Sequence, residues 1–137
     1  MKIVNPGKHI LYLSGVYKGS THDYNILQQC FDPKKGWFEE LTVRMDLGFQ
    51  GFADLYKYGK LFIPHKKKRV PKGQSNELDD DQKKQNKEQA QERIVVEHSI
   101  GGMKRYRILC NRLRIKGTAF LDTIIGVCAG LWNFILN

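Results

Sequence analysis

The chain has 137 residues, 41% of them hydrophobic, enough for one domain with a modest core and too few for most complete enzymes. Its 23 Lys and Arg outnumber 14 Asp and Glu, a formal charge of +9 that favours a polyanionic partner: nucleic acid first, an acidic membrane surface second, with a solubilising basic surface as the plain alternative. Cys30, Cys110 and Cys128 are widely spaced and form no C-x-x-C pair, which argues against a disulfide framework or a zinc site and fits a reducing compartment.

The opening "MKIVNPGKHI" lacks the apolar run of a signal peptide. "KIVN" and "HILYLSG" read as two strands, the first very short, around a Pro-Gly turn. A helix follows in "GSTHDYNILQQCF": Ser20 stands three residues before Asp23, the spacing of a capping box, and Ile26, Leu27 and Cys30 form an inward face. "LTVRMDLGF" reads as a strand in which Leu41, Val43 and Met45 alternate with Thr42, Arg44 and Asp46, until Gly48 ends it. "KLFIPHK" is a further short strand stopped by Pro64.

Residues 65–92 change character, from the basic block "HKKKRVPK" to a polar helix whose Asp79, Asp80 and Asp81 suit the positive end of the macrodipole; the segment reads as an insertion or linker helix. "RIVVEHSIGGMKRYRI" predicts another helix, followed by "RLRIKGTA" and an apolar terminal helix. That last run, "TAFLDTIIGVCAGLWNFILN", approaches the length of a membrane span. Asp122 and Asn133 near its ends leave a middle too short to span cleanly, so a core helix is expected. Strands mixed with helices, the heaviest helices last, predict an α/β or α+β sheet with helical cover.

Two carboxylates stand out. Asp46 is expected at a strand end, where a side chain reaches a cleft without displacing core, and Gly48 beside it allows a sharp turn; the plain reading is a turn former. Glu97 sits on one helical stripe with Arg93 and Lys104, at spacings of four and seven; the plain reading is a surface Arg93–Glu97 pair worth about 0.3 kcal/mol. Acidic residues from separate elements in a basic protein suggest a divalent metal site acting on phosphodiesters, since magnesium takes hard oxygen ligands together with phosphate and water. Arg93 and Lys104 would then hold phosphate. The block containing Lys66, Lys67 and Lys68 would bind backbone phosphate without regard to sequence, with a solvated loop or a nuclear import signal as the other readings. Nearby Tyr56, Tyr58 and Phe62 are explained as well by core packing as by base stacking.

The stretches "ILYLSGVYKGSTHDYNIL", "DLGFQGF", "IPHKKK" and "RIVVEHSIGGMKRYRIL…AGLWNF", in this order, resemble the DDE transposases of the insertion-sequence-five type and their Harbinger-like relatives, over essentially the whole chain. The most specific match is R-x3-E-x6-K at Arg93, Glu97 and Lys104, in which the family's Glu is the last catalytic carboxylate; the family's D-x-G-[FY] falls on Asp46, Gly48 and Phe49, its Asp being the second. The Tyr that many members carry three residues before the Arg is replaced by Ala90.

The resemblance implies a ribonuclease-H-like mixed sheet, a Mg2+ or Mn2+ cofactor held by Asp46 and Glu97, and metal-dependent cleavage and strand transfer of DNA at transposon ends. It places residues 1–137 as the C-terminal part of a catalytic domain: the family's first Asp lies on a strand upstream of the segment matching "KIVNPGKHILYLS". Such a chain is expected to be inactive alone and to pair with another transposase chain or the remaining half, in bacterial cytoplasm or a eukaryotic nucleus. Asp23 matches a family His-Asp beside the catalytic Asp, and capping explains it. A non-catalytic basic DNA-binding or assembly remnant is the alternative function, and an unrelated basic α+β protein with structural carboxylates is a third.

Overall fold

The computed structural model describes residues 1–67, 77–111 and 117–137. In chain order its elements are β1 (Lys2–Val4), β2 (Ile10–Leu13), α1 (Asp23–Cys30), β3 (Phe38–Arg44), a 3-10 turn (Leu47–Phe49), α2 (Phe52–Leu55), β4 (Tyr58–Phe62), α3 (Asp80–Lys104), a second 3-10 turn (Arg107–Leu109) and α4 (Thr118–Leu136). This is a mixed α/β chain with small sheets. It divides into two compact units, Met1–Thr21 with Ile94–Asn137, and His22–Arg93.

In the first unit β1 and β2 pair antiparallel, Ile3 opposite Tyr12, as the Pro-Gly turn signal led one to expect. The Asn5 amide closes the turn by accepting the His9 N–H at 2.9 Å, and Lys8 takes a φ of 70°, the left-handed region that residues other than Gly and Asn seldom adopt. The core gathers Ile10, Met103, Ile124, Cys128, Ala129 and Trp132, so α4 supplies most of it.

The polar residues of α4 have work on the hairpin backbone. Asn133 accepts the Ile10 N–H at 2.8 Å and donates to the Ile10 carbonyl at 2.9 Å, the two bonds a neighbouring strand would make. Asp122 accepts the Val16 N–H at 2.6 Å, and the Trp132 indole donates to the Lys8 carbonyl at 3.0 Å. Gly102 is where α3 and α4 approach: a Cβ there would fall 2.2 Å from the Trp132 ring. The core-helix expectation describes one face of α4 only. The other face leaves Phe120, Val127, Leu131, Phe134 and Ile135 exposed, and the helix is long and apolar enough to cross a membrane.

In the second unit β3 and β4 pair in parallel, with Thr42, Val43 and Arg44 opposite Lys60, Leu61 and Phe62 and an irregularity between Phe38 and Thr42. A parallel pair needs a crossover, and residues 45–57, with the first 3-10 turn and α2, supply it. The core is aromatic: Phe52 is fully buried and stacks on Tyr56 at 4.8 Å between ring centroids, with Phe31 and Phe38 packed around them. The Tyr56 hydroxyl donates to the Phe31 carbonyl at 2.7 Å, which satisfies the one polar atom the ring brings inside.

Several local expectations shift. α1 begins at Asp23 behind His22, with no side-chain cap; the Ser20–Asp23 capping box does not form, because Lys18–Thr21 closes its own turn through Thr21 N–H to Lys18 C=O at 2.8 Å. β3 starts earlier than its alternation suggested, at Phe38; Val43 and Met45 are half-buried between exposed Thr42, Arg44 and Asp46, as the alternation implies, but Leu41 is 53% exposed. The polar and apolar helices expected on either side of residue 92 are one continuous α3. "RLRIKGTA" lies largely outside the described residues, as does the end of the basic block from Lys68. Cys30, Cys110 and Cys128 form no disulfide.

Candidate metal centre and nucleic-acid interface

Asp46 leaves the end of β3. The ladder runs one residue past the strand, Met45 N–H donating to the Phe62 carbonyl at 2.9 Å, and the next side chain stands beyond the carboxyl end of a parallel pair. That is where open α/β sheets leave a crevice. The 3-10 turn that follows is closed by backbone alone, Phe49 N–H to Asp46 C=O at 3.1 Å, and the Asp46 carboxylate makes no capping bond. Its position at a turn therefore does not account for its charge.

What the carboxylate meets is Arg93, with Oδ2 at 3.4 Å from a guanidinium nitrogen. The adjacent Glu92 is held by Arg44, whose terminal nitrogen lies 3.1 Å from Oε1 and whose Nε contacts Oε2. The Arg44 guanidinium also lies over the Phe62 ring, 4.9 Å from its centroid. The end of β3 thus meets α3 through two ion pairs of opposite polarity, Arg44–Glu92 and Asp46–Arg93. All four side chains are 40% or more exposed, so each pair contributes about 0–1 kcal/mol and sets direction more than stability. The plain Arg93–Glu97 pair is not what forms: Arg93 is turned to Asp46.

After β4 the basic stretch is fastened to α3 by a second reciprocal asparagine. Asn86 accepts the His65 N–H at 2.7 Å and donates to the His65 carbonyl at 3.0 Å, while the imidazole Nε2 lies 2.7 Å from the Gln85 side-chain oxygen. Lys66 and Lys67 follow this anchor, both exposed, and Lys66 borders an open hollow with Gln50, Gly51, Asp54 and His65. Tyr56 is core, as packing suggested. Tyr58 and Phe62 are each 37% exposed, and the face of Phe62 carries Arg44.

In the first unit, Glu97 and Lys104 are exposed on α3, and among the described residues Glu97 forms no ion pair. The helical turn that bears Glu97 is pinned from β1. Lys2 Nζ donates to Ser99 Oγ at 2.5 Å and to the Val96 carbonyl at 3.2 Å, and burial pushes its amine down from 10.5 to about 8. Ser99 is fully buried beneath it. Nothing in the sequence marked Lys2, because its partners lie 94 and 97 residues away.

Asp46 offers one half-exposed carboxylate, a hard oxygen donor of the kind divalent ions take, and Arg93 is its partner here. The donor number is small, since no group of three or more His, Cys, Asp and Glu converges among the described residues. Water and phosphate oxygens would have to fill the remaining positions, as is usual for magnesium.

The chain thus carries, in a mixed α/β fold with formal charge +9, a carboxylate beyond the carboxyl end of a parallel pair that meets Arg93. A family profile described as DDE superfamily endonuclease matches residues 1–133, and the chain belongs to that family. It is 34% identical over 118 residues to the probable transposase for insertion sequence element IS702 of Microchaete diplosiphon, an alignment covering 85% of this chain and 38% of that protein. No solved structure matches.

Proposed function

We propose that residues 1–137 are part of the catalytic domain of a DDE transposase, acting on DNA phosphodiesters at transposon ends. The observation that carries this reading is the Asp46 carboxylate, uncommitted to its own turn and paired with the Arg of the R-x3-E-x6-K element. Asp46 and Glu97 would hold magnesium or manganese, while Arg93, Lys104, Lys66, Lys67 and Lys68 would hold phosphate. The bound ion supplies Lewis-acid polarisation of the reacting phosphate and a more acidic attacking oxygen. An oxygen of water or of a DNA 3′ hydroxyl would bond to phosphorus, its proton passing to solvent, as the bond to the leaving 3′ oxygen breaks and that oxygen takes up a proton from solvent; the cationic side chains would steady the non-bridging oxygens.

The antiparallel β1–β2 pair and the parallel β3–β4 pair support a ribonuclease-H-like sheet, in which they would be the later strands. The partners of such a domain are DNA and further transposase polypeptide, and it would work where DNA is, in a bacterial cytoplasm or a eukaryotic nucleus. With two candidate acids instead of three, the isolated chain should align the reacting oxygens poorly and cut little.

The test pairs a DNA-binding titration at several salt concentrations with plasmid nicking in magnesium or manganese. Salt-sensitive binding with little nicking is the expected outcome. Robust nicking that vanishes in Asp46→Ala would refute the inactivity, and binding indifferent to salt would refute the phosphate interface. The absence of any three-residue acidic cluster among the described residues favours one second reading, a non-catalytic DNA-binding or assembly module. Its mark would be DNA binding that survives both Asp46→Ala and Glu97→Ala without any metal dependence.

A further inference from the structure

We infer that the hollow between the β3–β4 crossover and the Lys66–Lys67 arm receives an unpaired DNA base that carries an exocyclic amino group, in preference to thymine. This rests on the reading of the chain as one that acts on DNA, and names the part of the DNA that the hollow takes. All of its lining belongs to the second unit.

The hollow has a volume of about 490 Å³, within the range of small-molecule sites. Leu61, Ile63 and Pro64, each half-buried, give it an apolar wall suited to the flat face of a base. Gln50 and Asp54 supply a polar edge from the crossover. Among the described residues neither side chain is engaged in an ion pair or a hydrogen bond, so both are open to a ligand. The carboxylate decides which edge fits. Being an acceptor only, it matches an amino group such as cytosine N4 and repels a phosphate. The phosphate therefore belongs at the mouth, where Lys66 borders the hollow and Lys67 follows it. A base inside a duplex has both faces covered by its neighbours, so only an unpaired one can lay a face on Leu61 and Ile63.

Both walls are set before a ligand arrives. On the crossover side Gly51 takes a φ of 91°, and its carbonyl accepts the Tyr24 hydroxyl at 2.9 Å and the Asp54 N–H at 3.2 Å. On the arm side Asn86 holds both backbone groups of His65, and Gln85 lies 2.7 Å from the imidazole. Lys66 thus leaves from a fixed backbone, which lowers the ordering cost of binding.

The experiment measures fluorescence anisotropy with three labelled duplexes of one sequence: fully paired, with one unpaired dC, and with one unpaired dT. Each is titrated with the whole chain, with Ala53→Phe and with Asp54→Ala; Ala53 is an exposed residue of the lining, where a ring fills the hollow. The unpaired dC duplex should bind at least about 5-fold tighter than the paired one, and at least about 3-fold tighter than the unpaired dT duplex. Ala53→Phe should erase the first advantage and leave the paired duplex within about 2-fold, which also shows the variant folded. Asp54→Ala should erase the preference for dC over dT, a ratio in which the general effect of removing a negative charge cancels. Equal binding of the paired and unpaired dC duplexes overturns the inference, as does an advantage that survives Ala53→Phe. So does equal binding of dC and dT in the unmutated chain, or a preference that Asp54→Ala leaves intact. Failure to bind even the paired duplex at low salt instead overturns the reading of the chain as one that acts on DNA.

Discussion

At the scale of single residues, the pair Gly101 and Gly102 shows how much one helical step decides. A Cβ on Gly101 meets nothing within 4 Å, whereas one on Gly102 would run into the Trp132 ring. Gly101→Ala should therefore stabilise the chain by about 0.5–1 kcal/mol through helix propensity, and Gly102→Ala should destabilise it by about 1–3 kcal/mol through overpacking. Paired thermal melts check both signs. Lys2 supplies a pH signature. Its amine is depressed to about 8 from 10.5, so between those values the unfolded chain binds more protons and unfolding free energy rises with pH. The slope stays well under about 1.4 kcal/mol per pH unit, because the amine is only partly buried and its two acceptors favour the charged form. Denaturant titrations from pH 7.5 to about 10.5 should show the rise, and Lys2→Met should flatten it.

At the scale of elements, an asparagine in each unit fastens an extended segment to a helix: Asn133 to Ile10 and Asn86 to His65. Each amide imitates the N–H and C=O of an adjacent strand, so a helix stands where a further strand could have paired. Removing either leaves a donor and an acceptor without partners, at about 1–3 kcal/mol. Asn133→Ala should cost more than Asn86→Ala, because Ile10 is buried and His65 only half-buried; chemical denaturation of the two variants ranks them. The sequence made these elements legible in outline and hid their joints. The Pro-Gly turn, the Pro64 stop and the acidic start of α3 carry local signals, and each element is found. The asparagine clamps, the failed Ser20 cap and the exposed Leu41 depend on residues far away in the chain or on a competing turn, which no window of spacing contains. In the sequence Asn133 only interrupts an apolar run, and its purpose appears with β2 beside it.

At the scale of the whole molecule, the charge of +9 and the R-x3-E-x6-K spacing pointed to a DNA-processing family, and the family profile spans residues 1–133. The roles of Asp46, Arg93 and Lys66–Lys67 belong to the proposal, whereas their positions were legible, at a strand end, on a helix stripe and in a charge run. The Asp46–Arg93 pairing was not, since helical spacing offered Glu97 as the nearer partner and only the fold brings the end of β3 to Arg93. The central proposal is that Asp46 and Glu97 would hold one divalent cation against DNA phosphate. Paramagnetic broadening of backbone amides by sub-stoichiometric manganese, recorded with a short DNA duplex bound, tests it most directly. The account predicts that amides around Asp46 and around Glu97 broaden together, and that Asp46→Asn or Glu97→Gln relieves the broadening at both. Broadening confined to one of them, or surviving both substitutions, would contradict it.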